Sequence, residues 1–106
     1  MASGVLGTPA DLAAGTYTTL YTVPVSTFAV ASVSIVNRSN TALSVRLAVA
    51  SVSTPTNAEF IEYDSTIAPK GILERTGIVM QAGKLLVVYS SAVNCNALVF
   101  GIETAA

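Results

Sequence analysis

The feature that most constrains this chain is a strict two-residue alternation between residues 42 and 50. Every second position there holds a large aliphatic side chain: Leu43, Val45, Leu47 and Val49. A half-buried β-strand has this period of two, whereas an amphipathic helix repeats its apolar positions every three or four residues. The segment therefore predicts a strand and excludes an amphipathic helix.

Six further segments are rich in Val, Ile and Thr, whose branching at Cβ favours extended backbone. Gly, Pro and Asn separate them, as turns require. The seven predicted strands are 16–23, 28–36, 42–50, 59–65, 72–80, 84–91 and 95–103. Their spacing predicts an all-β fold, an antiparallel β-sandwich of seven or eight strands resembling a jelly roll. An open barrel built from the same strands is the alternative that the sequence leaves open.

The length of 106 residues fits one domain with a single core. Residues 1–14 are small and weakly patterned. We therefore expect a short N-terminal arm over 1–14 that packs poorly on its own subunit, followed by a β-sandwich domain over 15–106. Deleting such an arm would leave the thermal stability nearly unchanged.

Composition excludes several classes of function. Charged residues make up 10% of the chain and the net charge is −1, so no basic surface is expected for nucleic acid or for a membrane. There is no His, and Cys95 is the only cysteine. Ser-His-Asp and Cys-His catalysis, a tetrahedral zinc site and an internal disulfide therefore cannot be built from this chain alone.

Two long uncharged stretches, 12–37 and 85–102, are interrupted by polar residues, Gly or Pro, and we do not expect them to span a membrane. The N-terminus lacks the basic start of a signal peptide. The sequence is thus interpreted as a non-secreted, soluble protein.

Three carboxylates cluster in the fourth predicted strand: Glu59, Glu62 and Asp64. Glu62 and Asp64 are expected on one strand face at a spacing that would suit glycoside hydrolysis. A structural role explains these carboxylates better, because charged residues on an edge strand prevent it from pairing with another chain. We expect Arg75 to pair with Glu62 across a hairpin formed by the fourth and fifth predicted strands. A Ca²⁺ site lacks the necessary ligand spacing. We assign no catalytic, cofactor-binding or metal-binding residue and expect no enzyme.

Three smaller features have a functional and a structural interpretation. Cys95 is expected to be a small buried apolar residue, since no basic residue flanks it. Asn37 begins an N-glycosylation sequon, but a hairpin turn is the simpler interpretation. Tyr17 and Tyr21 are expected on one strand face, where they would form an aromatic binding platform or pack an interface.

Several predicted strands are apolar on both faces. In the sixth predicted strand, Leu86 and Val88 alternate with equally apolar neighbours. In the second, Val30 and Val36 are expected on one face of the strand and Val33 on the other. A strand buried on both faces needs a layer on each side, and one short chain supplies a single core. We therefore expect self-association in preference to coverage by the N-terminal arm.

Six segments together resemble a family: 20–24 (LYTVP), 33–39 (VSIVNRS), 45–50 (VRLAVA), 58–64 (AEFIEYD), 73–77 (LERTG) and 99–103 (VFGIE). They are similar to small β-rich virion structural proteins of tailed bacteriophages, notably those infecting cyanobacteria. The resemblance covers nearly all of the chain after Gly15 and brings no catalytic residues with it.

The resemblance implies a virion component assembled in the host cytoplasm, most simply a capsid decoration (cement) protein. It would form a homo-oligomer, with a trimer favoured, and contact the major capsid protein or other virion proteins. The alternatives are a tail, neck or fibre-associated structural protein, or a host-surface adhesin that binds sugar through Tyr17 and Tyr21. A secreted carbohydrate-binding module would require a signal peptide, and a glycosidase would require Glu62 or Asp64.

Overall fold

The computed structural model describes residues 3–106, which form two packed four-stranded antiparallel sheets. The first sheet has the order β1-β8-β3-β6 and the second the order β2-β7-β4-β5. This order is that of a jelly roll, so the predicted jelly-roll-like sandwich is confirmed. The strands are β1 (Ser3–Leu12), β2 (Thr16–Thr22), β3 (Thr27–Asn37), β4 (Leu43–Ala50), β5 (Phe60–Ile67), β6 (Ile72–Met80), β7 (Leu85–Ser90) and β8 (Cys95–Ala105).

All seven predicted strands are present, and each of their boundaries lies within two residues of the expected position. Besides these seven strands, residues 3–106 contain β1 and one turn of 3-10 helix, Asn57–Glu59, immediately before β5. Within residues 3–106 no helix is long and apolar enough to cross a membrane.

The expectation of a loosely packed N-terminal arm is wrong for Ser3–Leu12. These residues form β1, which pairs with β8 at the edge of the first sheet, and Leu6 and Leu12 are each only 2% exposed. Gly7 permits this packing. Its φ is +63°, and a Cβ at this position would lie 2.1 Å from the carbonyl oxygen of Leu20 on β2. Met1 and Ala2 lie outside the described residues.

Strand β3 is the central element of the first sheet, hydrogen-bonded to β6 on one side and to β8 on the other. Its side chains alternate without a break between the core and the outer face. The core side holds Ala29, Ala31, Val33 and Ile35, each at most 1% exposed. This alternation places half of the strand in the sandwich interior and leaves the other half on the outer surface.

The predicted hairpin between the fourth and fifth strands is wrong, because β5 pairs with β4 in the second sheet and β6 with β3 in the first. The expected contact of Arg75 with Glu62 is nevertheless present, at 2.9 Å between Nη1 and Oε2. Glu62 lies opposite the buried Leu47, and Arg75 lies opposite the buried Val33. The ion pair therefore joins the two sheets at the open edge of the sandwich.

Asn37, at the end of β3, connects the two sheets through its buried side chain. Its amide group donates to the carbonyl oxygens of Thr41, Ile67 and Ala68 at 2.8, 3.1 and 3.1 Å, and its Oδ1 accepts from the N–H of Ser39 at 2.9 Å. The segment after Asn37 carries the chain from the first sheet to the second, so it is not the expected hairpin turn. A fully buried, hydrogen-bonded amide also disagrees with glycosylation at this residue.

We expect Asn37→Ala to lower the free energy of unfolding by about 2–4 kcal/mol, because buried carbonyl groups would lose their donor. Asn40→Ala is the matched control, since Asn40 is exposed in the same turn, and it should change stability by less than about 0.5 kcal/mol. Urea unfolding followed by circular dichroism measures both. Equal effects of the two substitutions would contradict the structural role of Asn37.

We expect Leu6→Ala to cost about 2–5 kcal/mol, because it leaves a cavity in the core. Thr8→Ala, at an exposed position of the same strand, should be nearly neutral. Thermal and urea unfolding of the two variants would distinguish a core strand from an arm. A nearly neutral Leu6→Ala would restore the interpretation of β1 as an arm.

Candidate functional site

The outer surface of the first sheet, here called the first-sheet face, is aliphatic and aromatic over most of its width. Val30, at its centre, is flanked by Val79 of β6 and Ile102 of β8. Val79 is 69% exposed and Ile102 is 51% exposed. Among residues 3–106, the other large apolar side chains on this face are Val5, Phe28, Val36, Ile72, Leu98 and Phe100.

Polar groups on the first-sheet face are fewer than the large apolar ones, and on β8 they include Asn96 and Thr104. Ser32 and Ser34 lie in its centre, while the carboxylates lie on the edge strands, Asp11 on β1 and Glu74 on β6. Asp11 is already paired with Arg38 at 2.6 Å. An exposed apolar patch of this kind usually marks an interaction surface.

The outer surface of the second sheet differs, because aromatic rings from three strands pack against one another there. Tyr17 of β2 lies 5.2 Å from Tyr89 of β7 and 6.2 Å from Phe60 of β5, measured between ring centroids. Phe60 in turn meets Tyr63 edge to face at 5.0 Å. We call these four rings the aromatic cluster.

Arg46 of β4 organises the aromatic cluster. Its guanidinium carbon lies 4.3 Å from the ring centroid of Tyr63 and 4.7 Å from that of Tyr89. Its Nε donates to Asp64 at 2.6 Å and its Nη1 donates to the hydroxyl of Tyr17 at 3.0 Å. The hydrogen bond to Asp64 and, to a smaller extent, that to Tyr17 raise the pKa of Arg46. The positive charge of Arg46 therefore lies among the rings and is neutralised by the carboxylate of Asp64.

A shallow open cleft of about 430 Å³ lies at the border of the aromatic cluster, lined by Asn57, Phe60 and Tyr63. The carboxylate of Glu59 accepts the N–H of Thr56 at 2.9 Å and that of Ser51 at 3.1 Å. The hydrogen bond from the Thr56 N–H is the main reason that the pKa of Glu59 is lowered. Glu59 thus stabilises the loop before β5, and both of its carboxylate oxygens are used in these hydrogen bonds.

The predicted platform of Tyr17 and Tyr21 does not form. A bulge between Thr19 and Tyr21 inserts Leu20 into β2 and reverses the alternation, so Tyr17 lies on the outer surface while Tyr21 is buried. The hydroxyl of Tyr21 donates to the carboxylate of Glu103 on β8, across the two sheets. Burial, reinforced by Glu103, raises the pKa of Tyr21.

The expected carboxylate pair on one strand face is also wrong. The register of β5 shifts between Glu62 and Ser65, and Asp64 has a φ of +52° in this irregular segment. Glu62 consequently reaches Arg75 at the sandwich edge, whereas Asp64 reaches Arg46 on the outer surface. Over residues 3–106 no group of three acidic, His or Cys side chains is placed to hold a metal ion.

Cys95 is completely buried at the start of β8, as the sequence predicts. Desolvation raises the pKa of its thiol above the ordinary value. The thiolate needed for nucleophilic chemistry is therefore disfavoured.

Sequence reasoning did not find the aromatic cluster, because its members come from strands that are distant in the chain. Tyr89 pairs with both Tyr17 and Arg46 only through the β2-β7-β4 order of the second sheet. The available signal was the presence of Tyr63 and Tyr89 in two predicted strands, which gains meaning once the strand order is known.

Comparison with known proteins returned no matching family model, no matching curated protein and no matching solved structure.

The Tyr21–Glu103 contact makes a specific prediction about alkaline stability. A raised pKa in the folded state means that the contribution of Tyr21 is fully present below its unfolded pKa of about 10 and is lost as the pH rises through the folded value. Between neutral pH and about pH 11 the wild type should therefore lose more stability than Tyr21→Phe, as measured by urea unfolding.

Tyr63→Phe is the control for this experiment, because Tyr63 is 55% exposed. It should retain the alkaline loss of the wild type. Identical pH profiles for Tyr21→Phe and the wild type would contradict the assignment of that loss to Tyr21.

Proposed function

We propose that this protein is a non-enzymatic structural component of a tailed-bacteriophage virion, a capsid decoration or cement protein that stabilises the head by self-association and by contacts to the major capsid protein. The observation that carries the proposal is the apolar first-sheet face. The jelly-roll topology supports it by analogy, since viral capsid and lectin domains use this fold.

The size of the first-sheet face suits a subunit interface. Four strands spaced about 4.8 Å apart, up to 11 residues long at about 3.3 Å per residue, give a face of roughly 19 by 36 Å, or about 700 Å². A standard protein interface buries about 800 Å² on each partner. One sheet face thus approaches the size of a standard contact with a second subunit or with a capsid protein.

Such a protein would act by mass action. Because it binds the assembled shell and not the dissociated subunits, each binding event shifts the equilibrium toward the shell. A trimer at a symmetry axis is the oligomer that we favour. A net charge of −1 agrees with a proposal that includes neither nucleic acid nor membrane among the partners.

A tail, neck or fibre-associated position would use the same apolar face, and it differs from a head position only in the neighbouring protein. Reconstruction of particles that contain this chain would place it directly. Density on the capsid lattice supports the decoration role, and density confined to the tail or neck replaces it with the alternative.

We expect the purified protein to sediment as an oligomer at micromolar concentration and Val79→Glu to shift it toward the monomer, because a carboxylate would enter the apolar first-sheet face. Val93→Glu is the matched control: Val93 is 58% exposed, but it lies in the loop between β7 and β8 and not in a strand of that face. Sedimentation velocity measures all three proteins.

Two results would contradict this assignment. A wild type that remains monomeric throughout the concentration range excludes self-association. An oligomer that is equally sensitive to Val79→Glu and Val93→Glu places the interface elsewhere.

A further inference from the structure

The cleft beside the aromatic cluster lies on the second sheet, on the side of the sandwich opposite the first-sheet face. A subunit bound to the first-sheet face therefore leaves the cleft accessible. Any ligand of the cleft would add a function to the proposed role in assembly.

Two aromatic side chains and one amide line the cleft. Tyr63 is 55% exposed and meets Phe60 edge to face, so the two rings present surfaces at a steep angle to each other. Asn57 is exposed beside them and offers both a donor and an acceptor. Ligand sites characteristically combine apolar ring surface with a few polar groups of this kind.

The electrostatics of the cleft favour an uncharged ligand. The positive charge of Arg46, which packs against Tyr63, is balanced by Asp64, which accepts from its Nε and Nη2. An anionic ligand would have to displace Asp64, and a cationic ligand would approach the guanidinium carbon that lies 4.3 Å from the ring centroid of Tyr63.

The walls of the cleft are held in place before any ligand binds. Glu59 fixes the preceding loop through two backbone N–H groups. The guanidinium group of Arg46 packs against the ring of Tyr63, 4.3 Å from its centroid. Asp64, next to Tyr63 in the chain, has a left-handed backbone with φ of +52°, and its carboxylate pairs with Arg46 at 2.6 Å. Preorganised walls of this kind reduce the entropic cost of binding.

From these observations we propose that the cleft binds a neutral carbohydrate, one or two sugar units in size. A pyranose ring has an apolar C–H surface that stacks on an aromatic face and a rim of hydroxyl groups that pair with an amide. The ring of Tyr63 supplies the stacking surface and Asn57 supplies the hydrogen bonds. The cleft volume of about 430 Å³ lies at the lower end of the range for small-molecule sites, about 300–1,000 Å³.

The test uses the full-length protein and a panel of immobilised neutral oligosaccharides built from hexoses, deoxyhexoses and N-acetylhexosamines. The best binder is then titrated in solution while backbone amides are followed by NMR. We expect chemical-shift changes centred on residues 57–64, and Tyr63→Ala should weaken binding by about tenfold or more, equivalent to about 1.4 kcal/mol. Asn57→Ala should weaken binding as well.

Tyr63→Phe is the matched control, because it keeps the ring and should keep most of the affinity. Val79→Glu should disrupt self-association and leave the binding of each protomer unchanged, so failure of the assembly proposal and failure of the sugar proposal are distinguishable. A thermal melt of Tyr63→Ala close to that of the wild type shows that loss of binding is local.

Three outcomes would overturn the proposal. The first is that no neutral glycan binds, and the second is that the bound glycan is insensitive to Tyr63→Ala. The third is that Tyr63→Ala changes the sedimentation of the protein, which would assign the cleft to a contact between subunits.

Discussion

The fold depends on the uninterrupted alternation of β3, which has hydrogen-bonded neighbours on both sides and contributes a continuous row of side chains to the core. Hydrophobic burial along this row is the dominant favourable term, because Val33 and Ile35 are removed from water completely. The same alternation directs Val30 and Val36 to the outer face. Stability of the core and exposure of an apolar surface are thus two consequences of one pattern in the sequence.

Three polar contacts link the sheets and complement the non-directional hydrophobic core. Asn37 spans from the end of β3 to the end of β5, the Tyr21 hydroxyl reaches Glu103, and Arg75 reaches Glu62 at the open edge. The buried members of this set must keep their hydrogen bonds, because an unsatisfied buried group costs about 1–3 kcal/mol. Their geometry therefore restricts how the two sheets can slide, which apolar packing alone does not.

The strands could be predicted from the sequence because a two-residue period and its turn residues are local signals. The errors arose where one extra residue reverses that period. The bulge at Leu20 separates Tyr17 from Tyr21, and the irregularity before Ser65 separates Glu62 from Asp64. Pairing between distant strands is equally invisible to a local pattern, so the aromatic cluster appeared only in the structure. The β1 strand was missed because its register with β8 is interrupted between Leu6 and Ala10.

The two outer faces of the sandwich differ in where their few charged side chains lie. The three arginines each pair with a carboxylate, so most of the few charges fix local geometry. On the second sheet, one of these pairs is surrounded by aromatic rings, which cover that face from within the same chain. Within residues 3–106 no comparable set of side chains covers the first sheet, and its charged groups lie on its edge strands. An aliphatic surface of this extent gains free energy when a second protein surface excludes water from it. The asymmetry between the faces is therefore the basis for proposing assembly through the first sheet and carbohydrate binding through the second.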